Sequence, residues 1–126
     1  MQIKECILIE PYTCEEGDTV IEVSRKLRQT TLRHIFVVDK EMRPVGIISV
    51  IDINNRVVAE GKDAKVLKAG DIMTSPVDIV QFTDDVELVT KAMLDKKRSM
   101  NPVVRDNKMV GIITINELAR HAKVQE

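Results

Sequence analysis

The sequence contains few aromatic residues and no tryptophan. Phe, Tyr and Trp together account for 2% of its 126 residues, whereas 44% of the residues are hydrophobic. A core built from this composition must be aliphatic, assembled from Ile, Val, Leu and Met. Domains usually hold about 100–200 residues, so the chain has the length of one compact unit.

Long apolar runs are absent. No stretch approaches the roughly 20 apolar residues of a membrane-spanning helix, and residues 1–6 lack the charged-then-apolar plan of a signal peptide. We therefore expect a cytoplasmic protein without a membrane partner. Cys6 and Cys14 are too few for a disulfide framework and lack the paired spacing of a zinc site. Both are expected to be small buried residues, and no metal site is expected.

Neither sign of charge dominates, because 19 Lys and Arg residues face 20 Asp and Glu residues. Nucleic-acid binders typically carry clustered Lys and Arg on a basic domain, so nucleic acid is not an expected partner. The sequence also lacks a Gly-x-x-x-x-Gly-Lys phosphate loop and a nucleophile paired with a base. We therefore expect a protein that is not an enzyme.

The chain contains an internal duplication. Residues 5–38 align with residues 71–104 without a gap, at a shift of 66. Residues 45–53 then align with residues 110–118 at a shift of 65, where VGIIS in the first copy matches VGIIT in the second. Chemical type is kept along the whole alignment, so the chain predicts two copies of one structural unit.

Each copy predicts the element order β-α-β-β-α. The two later strands of each copy are separated by three to five turn residues, which is typical of a hairpin. A last helix is expected to begin near Asp52 and near Asn116. The predicted strands are residues 12–14, 35–38 and 45–50 in the first copy and residues 77–80, 103–104 and 109–113 in the second.

The first helix of each copy has a start signal and an apolar stripe. Thr19-x-x-Glu22 is a capping-box signature in the first copy. Asp84 or Asp85 is the expected cap in the second. The residues at helical spacing that predict the buried faces are Val20, Val23 and Leu27, and Val86, Val89 and Met93.

One such unit would expose an apolar sheet face that it cannot cover alone. Two copies can bury these faces against each other about a pseudo-twofold axis, which leaves two equivalent clefts. The prediction is an α/β (α+β) protein of two tandem β-α-β-β-α units, residues 5–60 and 71–122. Residues 61–70 form the linker, whose first residues are polar and include a glycine.

This pattern resembles the CBS domain, named after cystathionine beta-synthase. One motif is FVVD at residues 36–39, with PVV at residues 102–104. The other is G-x-x-S-x-x-D at residues 46–52, with G-x-x-T-x-x-E at residues 111–117. GDIMTSPV at residues 70–77 looks like the entry to a second CBS unit, so the resemblance covers almost the entire chain.

The resemblance implies a CBS pair, or Bateman module, which commonly forms a homodimeric disc of four CBS units. Such modules sense adenosyl ligands, namely AMP, ADP, ATP, S-adenosylmethionine or NAD, and regulate an effector protein. It implies no obligatory cofactor. The alternative is a structural or protein-interaction dimer whose degenerate clefts bind no nucleotide.

Ser49 and Asp52 are the strongest candidate ligand residues. A helix begins after Ser49, and unpaired N–H groups of its first turn would favour a phosphate. The resemblance gives Asp52 the role of accepting hydrogen bonds from both ribose hydroxyls. A capping box needs no ligand and prefers Glu at its last position, so Thr114 with Glu117 fits a plain cap better. We expect the better site at Asp52.

The resemblance also implies contacts for the phosphates and the base. Arg33 and His34 would contact phosphates, unless they are a solvated Arg and a partly buried His. Asp78 would accept a hydrogen bond from the adenine amine. The alternative for Met73 and Met100 is that they only fill the hydrophobic core. The expected base contacts are Met73, Asp78, Ser99 and Met100 for the Asp52 site, and Ile7, Tyr12, Leu32 and Arg33 for the Glu117 site.

Overall fold

The computed structural model describes residues 1–31 and 33–122, which form two compact units. The first unit is Tyr12–Val77, and the second unit is Met1–Pro11 together with Asp78–Glu126. Across the described residues no helix is both long and apolar enough to cross a bilayer.

The first unit is a three-stranded sheet with short helices. Its strands are β1 (Thr13–Glu15), β2 (His34–Val38) and β3 (Pro44–Ser49), and its helices are α1 (Val20–Arg28), α2 (Val50–Ile53) and α3 (Ala69–Ile72). A π-helical turn, Asn54–Val58, continues α2. β1 runs parallel to β2, and β2 pairs with β3 as the predicted antiparallel hairpin. The stripe Val20, Val23 and Leu27 is buried, as predicted.

The second unit repeats this plan. Its strands are β4 (Val80–Gln81), β5 (Met100–Arg105) and β6 (Lys108–Thr114), and its helices are α4 (Val86–Asp95) and α5 (Ile115–Ala122). The sheet order is β4-β5-β6, with a parallel pair followed by an antiparallel hairpin. The stripe Val86, Val89 and Met93 is buried. The mixed α+β architecture of two tandem units is therefore confirmed.

Helix starts follow the predicted capping chemistry. The Thr19 hydroxyl accepts from the Glu22 N–H, and the Glu22 carboxylate accepts from the Thr19 N–H, which closes the capping box of α1. In the second unit the cap is Asp85, whose carboxylate accepts from the Leu88 N–H. Asp84 instead accepts from the Gln81 N–H and stabilises the preceding turn.

Two elements differ from the sequence prediction. β4 holds only Val80 and Gln81 of its region, although residues 77–80 were expected to be extended. Asp78 turns its carboxylate to cationic side chains, and pairing with β5 begins two residues later. The linker is more than a polar connection, because the Ala64 and Leu67 carbonyls accept the Ile21 and Val20 N–H groups at the start of α1.

The compact units do not coincide with the sequence copies, because each contains the entry segment of the other copy. In the second unit, the Ile3 N–H donates to the Asp84 carbonyl at 2.9 Å. In the first unit, the Ala69 N–H donates to the Asp18 carbonyl at 2.8 Å. Ile3 corresponds to Ala69, and Asp84 corresponds to Asp18, each at a shift of 66 residues. Both units are therefore completed in the same way by a segment from the other copy.

The ungapped alignment of residues 5–38 with residues 71–104 is wrong within these entry segments. The second unit has an antiparallel bridge between Ile9 and Ile112, and the first unit has the same bridge between Thr74 and Ile47. Ile9 therefore corresponds to Thr74 at a shift of 65, not 66. The second unit thus has one extra residue, Ile7, before this bridge. At the first strands, Cys14 again corresponds to Val80 at a shift of 66. The one-residue change in register is thus reversed before β1, and an ungapped sequence alignment does not reveal it.

Candidate functional site

The first candidate site lies at the end of β3, where α2 begins. The Ser49 N–H donates to Asp52 Oδ2 at 2.8 Å, and the Asp52 N–H donates to Ser49 Oγ at 3.1 Å. This is a closed capping box, so the expectation that Asp52 suits a cap poorly is wrong. Asp52 Oδ1 lies 3.8 Å from Arg56 Nη2, beyond hydrogen-bond distance.

The sequence motifs do not single out Arg56, which lies on the π-helical turn. Its Nη1 donates to the Ile72 carbonyl at 2.6 Å, and its Nη2 donates to Thr74 Oγ1 at 3.2 Å. Arg56 therefore joins the helix that carries Asp52 to the segment that carries Met73. Its position four residues after Asp52 is the sequence signal that could have identified it.

Met73 lies directly against the backbone of Gly46. A Cβ placed on Gly46 would come within 2.5 Å of Met73 Sδ, and Ile47 exchanges two backbone hydrogen bonds with Thr74 beside it. The close approach that Gly46 permits is therefore made by a side chain of the same unit. Met73 is partly buried and packs against the hydrophobic core of the first unit.

Arg33 and His34 lie at the same end of the sheet as Ser49. His34 is the first residue of β2 and pairs in register with Ser49. Arg33 adopts the left-handed conformation (φ 61°), and its carbonyl accepts the Val50 N–H at 3.2 Å. Because the Val50 and Asp52 N–H groups are both bonded within the chain, α2 offers a phosphate fewer donors than the sequence suggested.

The second unit uses its equivalent residues differently. The Glu117 N–H donates to Thr114 Oγ1 at 3.2 Å, as in a cap. The Glu117 carboxylate, however, accepts from the Ile7 N–H at 2.8 Å and from Arg120 at 2.9 and 3.0 Å. His121 Nε2 lies 2.8 Å from Glu117 Oε2. The expectation that Glu117 closes its own capping box is wrong, because its longer side chain reaches other partners.

These partners keep the Glu117 carboxylate ionised. The hydrogen bonds from Arg120, followed by those from the Ile7 N–H and His121, lower the pKa of Glu117 to about 2, against the opposing effect of burial. Only 10% of this side chain is exposed. The carboxylate is therefore held in place by its own unit and is not presented to a ribose as an open acceptor.

Leu8, not Ile7, is the structural counterpart of Met73. A Cβ on Gly111 would lie 2.8 Å from Leu8 Cβ and 3.3 Å from the Ile9 carbonyl oxygen. Ile7 is the extra residue before the bridge to β6 and is 67% exposed. Leu8 thus occupies the packing position of Met73, while the Ile7 backbone N–H donates to Glu117, and the predicted contact of Ile7 with a base stays a prediction.

The remaining predicted base contacts have partners of their own. Asp78 accepts from Lys96 Nζ and Arg98 Nε, both at 3.1 Å, and these cations, Lys96 foremost, lower its pKa. The Tyr12 hydroxyl donates to Gln29 Oε1 at 3.1 Å.

Met100 and Ser99 repeat the geometry of His34 and Arg33. Met100 opens β5 opposite Thr114, and the Ser99 carbonyl accepts the Ile115 N–H at 2.9 Å. Leu32 lies outside the described residues. The structure therefore groups Arg33, His34, Ser49, Asp52 and Met73 in the first unit, and places Ile7, Asp78, Met100, Thr114 and Glu117 in the second.

Comparison with known proteins agrees with this duplicated plan. The CBS domain family model matches residues 3–59 and 69–123. An uncharacterized protein of Methanopyrus kandleri is 33% identical over 102 residues, which are 80% of this chain and 52% of that protein. The magnesium transporter MgtE of Thermus thermophilus is 33% identical over 115 residues, which are 86% of this chain and 24% of the transporter. The chain thus spans about half the length of the first relative and about a quarter of the second.

Solved structures show the same fold. The acetoin utilization protein AcuB of Vibrio cholerae superposes with a TM-score of 0.83 at 21% identity, over 99% of this chain and 92% of that one. Hypoxic Response Protein I, solved with two coordinated zinc ions, gives a TM-score of 0.82 at 20% identity, over 96% and 98% of the two chains. The hexameric CBS-CP12 protein of bloom-forming cyanobacteria gives 0.74 at 26% identity, over 94% of this chain and 69% of that one. With two matched repeats that cover most of its length, this chain belongs to the CBS domain family.

Proposed function

We propose that the chain is a non-catalytic regulatory module that binds an adenosyl ligand, with Asp52 holding the ribose. CBS modules are typically regulatory and non-catalytic, which supports this assignment. The candidate ligands are AMP, ADP, ATP, S-adenosylmethionine and NAD. We also propose that the chain acts as a cytoplasmic homodimer that signals to an effector protein.

The supporting observation is Asp52 Oδ1, which accepts no hydrogen bond from the described residues 1–31 and 33–122. A carboxylate has about four lone-pair sites, and the Ser49 N–H occupies one on Oδ2. Oδ1 keeps its acceptor capacity, because Arg56 approaches it only to 3.8 Å. The capping bond fixes the carboxylate, and Arg56 fixes the helix against the Met73 segment. A fixed acceptor with free lone pairs is suited to the two hydroxyls of a ribose.

Glu117 supports one ligand per chain. Its carboxylate already accepts from Ile7, Arg120 and His121. A ribose at this position would have to displace charge-assisted hydrogen bonds, which are the strong class. We therefore propose that the first unit carries the adenosyl site and that the second does not.

A second candidate function is a structural or interaction dimer that binds no nucleotide. The same saturation of Glu117 favours it, since one of the two equivalent carboxylates is committed to intramolecular bonds. The CBS-CP12 protein, to which this chain is similar in structure, is itself an oligomer, a hexamer.

The test is a thermal-shift and calorimetric panel with AMP, ADP, ATP, S-adenosylmethionine and NAD. A ligand at 100 times its Kd adds about 2.7 kcal/mol of stability. We expect one adenosyl ligand to bind the native chain at one equivalent. Asp52→Asn should lose it, since the amide can keep the capping acceptor but replaces the other oxygen with a donor.

The matched control is Glu117→Gln, the same chemical change at the equivalent position, which should leave ligand binding intact. Native affinity in Asp52→Asn would exclude the ribose role of Asp52. A native chain that responds to no ligand in the panel would favour the interaction dimer.

A further inference from the structure

Three side chains that bind metals in other proteins lie together in the second unit. Cys6 Sγ, a Glu117 carboxylate oxygen and a His121 ring nitrogen all lie within 4.8 Å of one another. Cys6 is 9% exposed, and the side chains of Glu117 and His121 are 10% and 19% exposed. The cluster is thus formed in the folded chain and largely shielded from water.

Two elements hold these side chains in position. Glu117 and His121 are four residues apart on α5, so they share one helix face. Cys6 follows the 3₁₀ turn Ile3–Glu5, and its N–H donates to the Ile3 carbonyl. The next residue, Ile7, donates its N–H to Glu117 Oε2 at 2.8 Å, which fastens the Cys6 segment to α5.

The first unit provides an internal comparison, because the same three positions carry other residues. Cys6 corresponds to Ile72 at a shift of 66, while Glu117 and His121 correspond to Asp52 and Arg56 at a shift of 65. The positions also meet in the first unit, since Arg56 bonds the Ile72 carbonyl and approaches Asp52. The duplicated geometry therefore carries a sulfur, a nitrogen and a carboxylate ligand in the second unit only.

We propose that Cys6, Glu117 and His121 form a zinc site in which the protein supplies three ligands. Thiolate, imidazole and carboxylate are the ligands of zinc in proteins, at about 2.0–2.3 Å from the ion. Tetrahedral binding at these lengths separates the donors by roughly 3.3–3.8 Å. The donor atoms lie between 2.8 Å (Glu117 Oε2 to His121 Nε2) and at most 4.8 Å apart, which brackets these separations, and a fourth position is left for water or another ligand.

The exchange on binding is balanced in charge. The Cys6 thiol releases one proton as the sulfur–zinc bond forms, and the resulting thiolate and the Glu117 carboxylate together neutralise the dication. His121 binds through Nε2 with its hydrogen on Nδ1, so the imidazole releases no net proton when it is neutral. Arg120 remains bonded to Glu117 Oε1 and orients the carboxylate from outside the metal sphere.

The test uses the full chain, stripped with a chelator and titrated with Zn²⁺ and with Co²⁺. We expect one equivalent of zinc per chain and, with cobalt, the near-ultraviolet absorption of a thiolate bound to the metal. Cys6→Ala should abolish this absorption. His121→Ala should weaken zinc binding at least tenfold. Cys14→Ala, which removes the other buried thiol, should change neither.

Circular dichroism separates loss of the ligand from loss of the fold, and His121→Ala provides an independent measurement if Cys6→Ala does not fold. The proposal is overturned if the native chain binds less than stoichiometric zinc, or if cobalt gives no thiolate absorption. It is also overturned if folded His121→Ala binds zinc with native affinity. These outcomes are independent of the adenosyl ligand, because the nucleotide panel reports on Asp52 in the other unit.

Discussion

Replacing Gly46 with alanine tests how tightly the Met73 segment packs on β3. The added Cβ would lie 2.5 Å from Sδ, 2.9 Å from Cγ and 3.1 Å from Cβ of Met73. Carbon atoms in contact are normally about 3.5–4.0 Å apart. The thioether can rotate away, but Met73 Cβ moves only with its backbone. That backbone is held by the two hydrogen bonds between Ile47 and Thr74, at 2.9 and 3.0 Å.

The expected magnitude follows from this overlap. Overpacking a well-packed site costs about 1–3 kcal/mol, and alanine recovers about 0.5–1 kcal/mol of backbone entropy relative to glycine. Gly46→Ala should therefore lower the free energy of unfolding by up to about 2.5 kcal/mol. Gly111→Ala should cost more, because its Cβ would meet Leu8 Cβ at 2.8 Å and a carbonyl oxygen at 3.3 Å. Neither of these atoms can leave by side-chain rotation.

Urea denaturation, monitored by circular dichroism, measures the free energy of unfolding of both variants and so tests whether Gly111→Ala is the more destabilising. Gly17→Ala is the matched control, since its Cβ would meet no atom within 4 Å. In a Met73→Ala background the Gly46→Ala cost should fall by about 1 kcal/mol or more, as expected for two residues in direct contact. The reasoning is refuted if Gly46→Ala is as stable as Gly17→Ala, or if its cost is unchanged when Met73 is alanine.

Three further measurements test the capping, the ion pairs and the core. Thr19→Ala should cost about 0.5–2 kcal/mol in urea unfolding while Thr19→Ser stays near native; equal losses would exclude the hydroxyl cap. The lowered pKa of Asp78 adds stability above about pH 3.8 that disappears as the pH falls through the folded-state value. The stability gap between native protein and Asp78→Asn should therefore narrow below that pH, and a constant gap would contradict this origin. Burial raises the pKa of Cys14 to about 12, so iodoacetamide at neutral pH should label it only after unfolding, as peptide mass spectrometry can show.

Local elements were predictable because their signals are local. The stripe of Val20, Val23 and Leu27, the Thr19 capping box and the polar turns between β-branched strands all act within a few residues. The exchange of entry segments was not predictable in this way. It joins Ile3 to Asp84, which are 81 positions apart, and no periodicity within either segment specifies that partner. The extra residue at Ile7 was hidden because a later offset cancels it.

At the candidate sites, too, the sequence predicts the local neighbours of a residue but not its partners from distant parts of the chain. The motif identified Ser49 and Asp52 correctly as neighbours at a helix start, but the preference of capping boxes for Glu assigned the cap to the wrong carboxylate. A capping rule considers one helix end, whereas Glu117 is long enough to reach Ile7 and the following turn of α5. The sequence correctly predicts that Cys6 is buried, but it does not indicate the neighbours of Cys6 on α5, which lie about 110 residues away in sequence.

One difference in side-chain length accounts for much of the divergence between the two units. Asp52 is short, so its carboxylate stays at the helix start and closes the cap with Ser49, and its Oδ1 accepts no hydrogen bond from the part of the chain that the structure describes. Glu117 extends one methylene further and fills its acceptor sites with Arg120, His121 and the Ile7 N–H. The residue inserted at Ile7 provides that N–H, so the insertion and the longer carboxylate act together. This combination removes the open acceptor of the second unit and gathers the three proposed zinc ligands in its place.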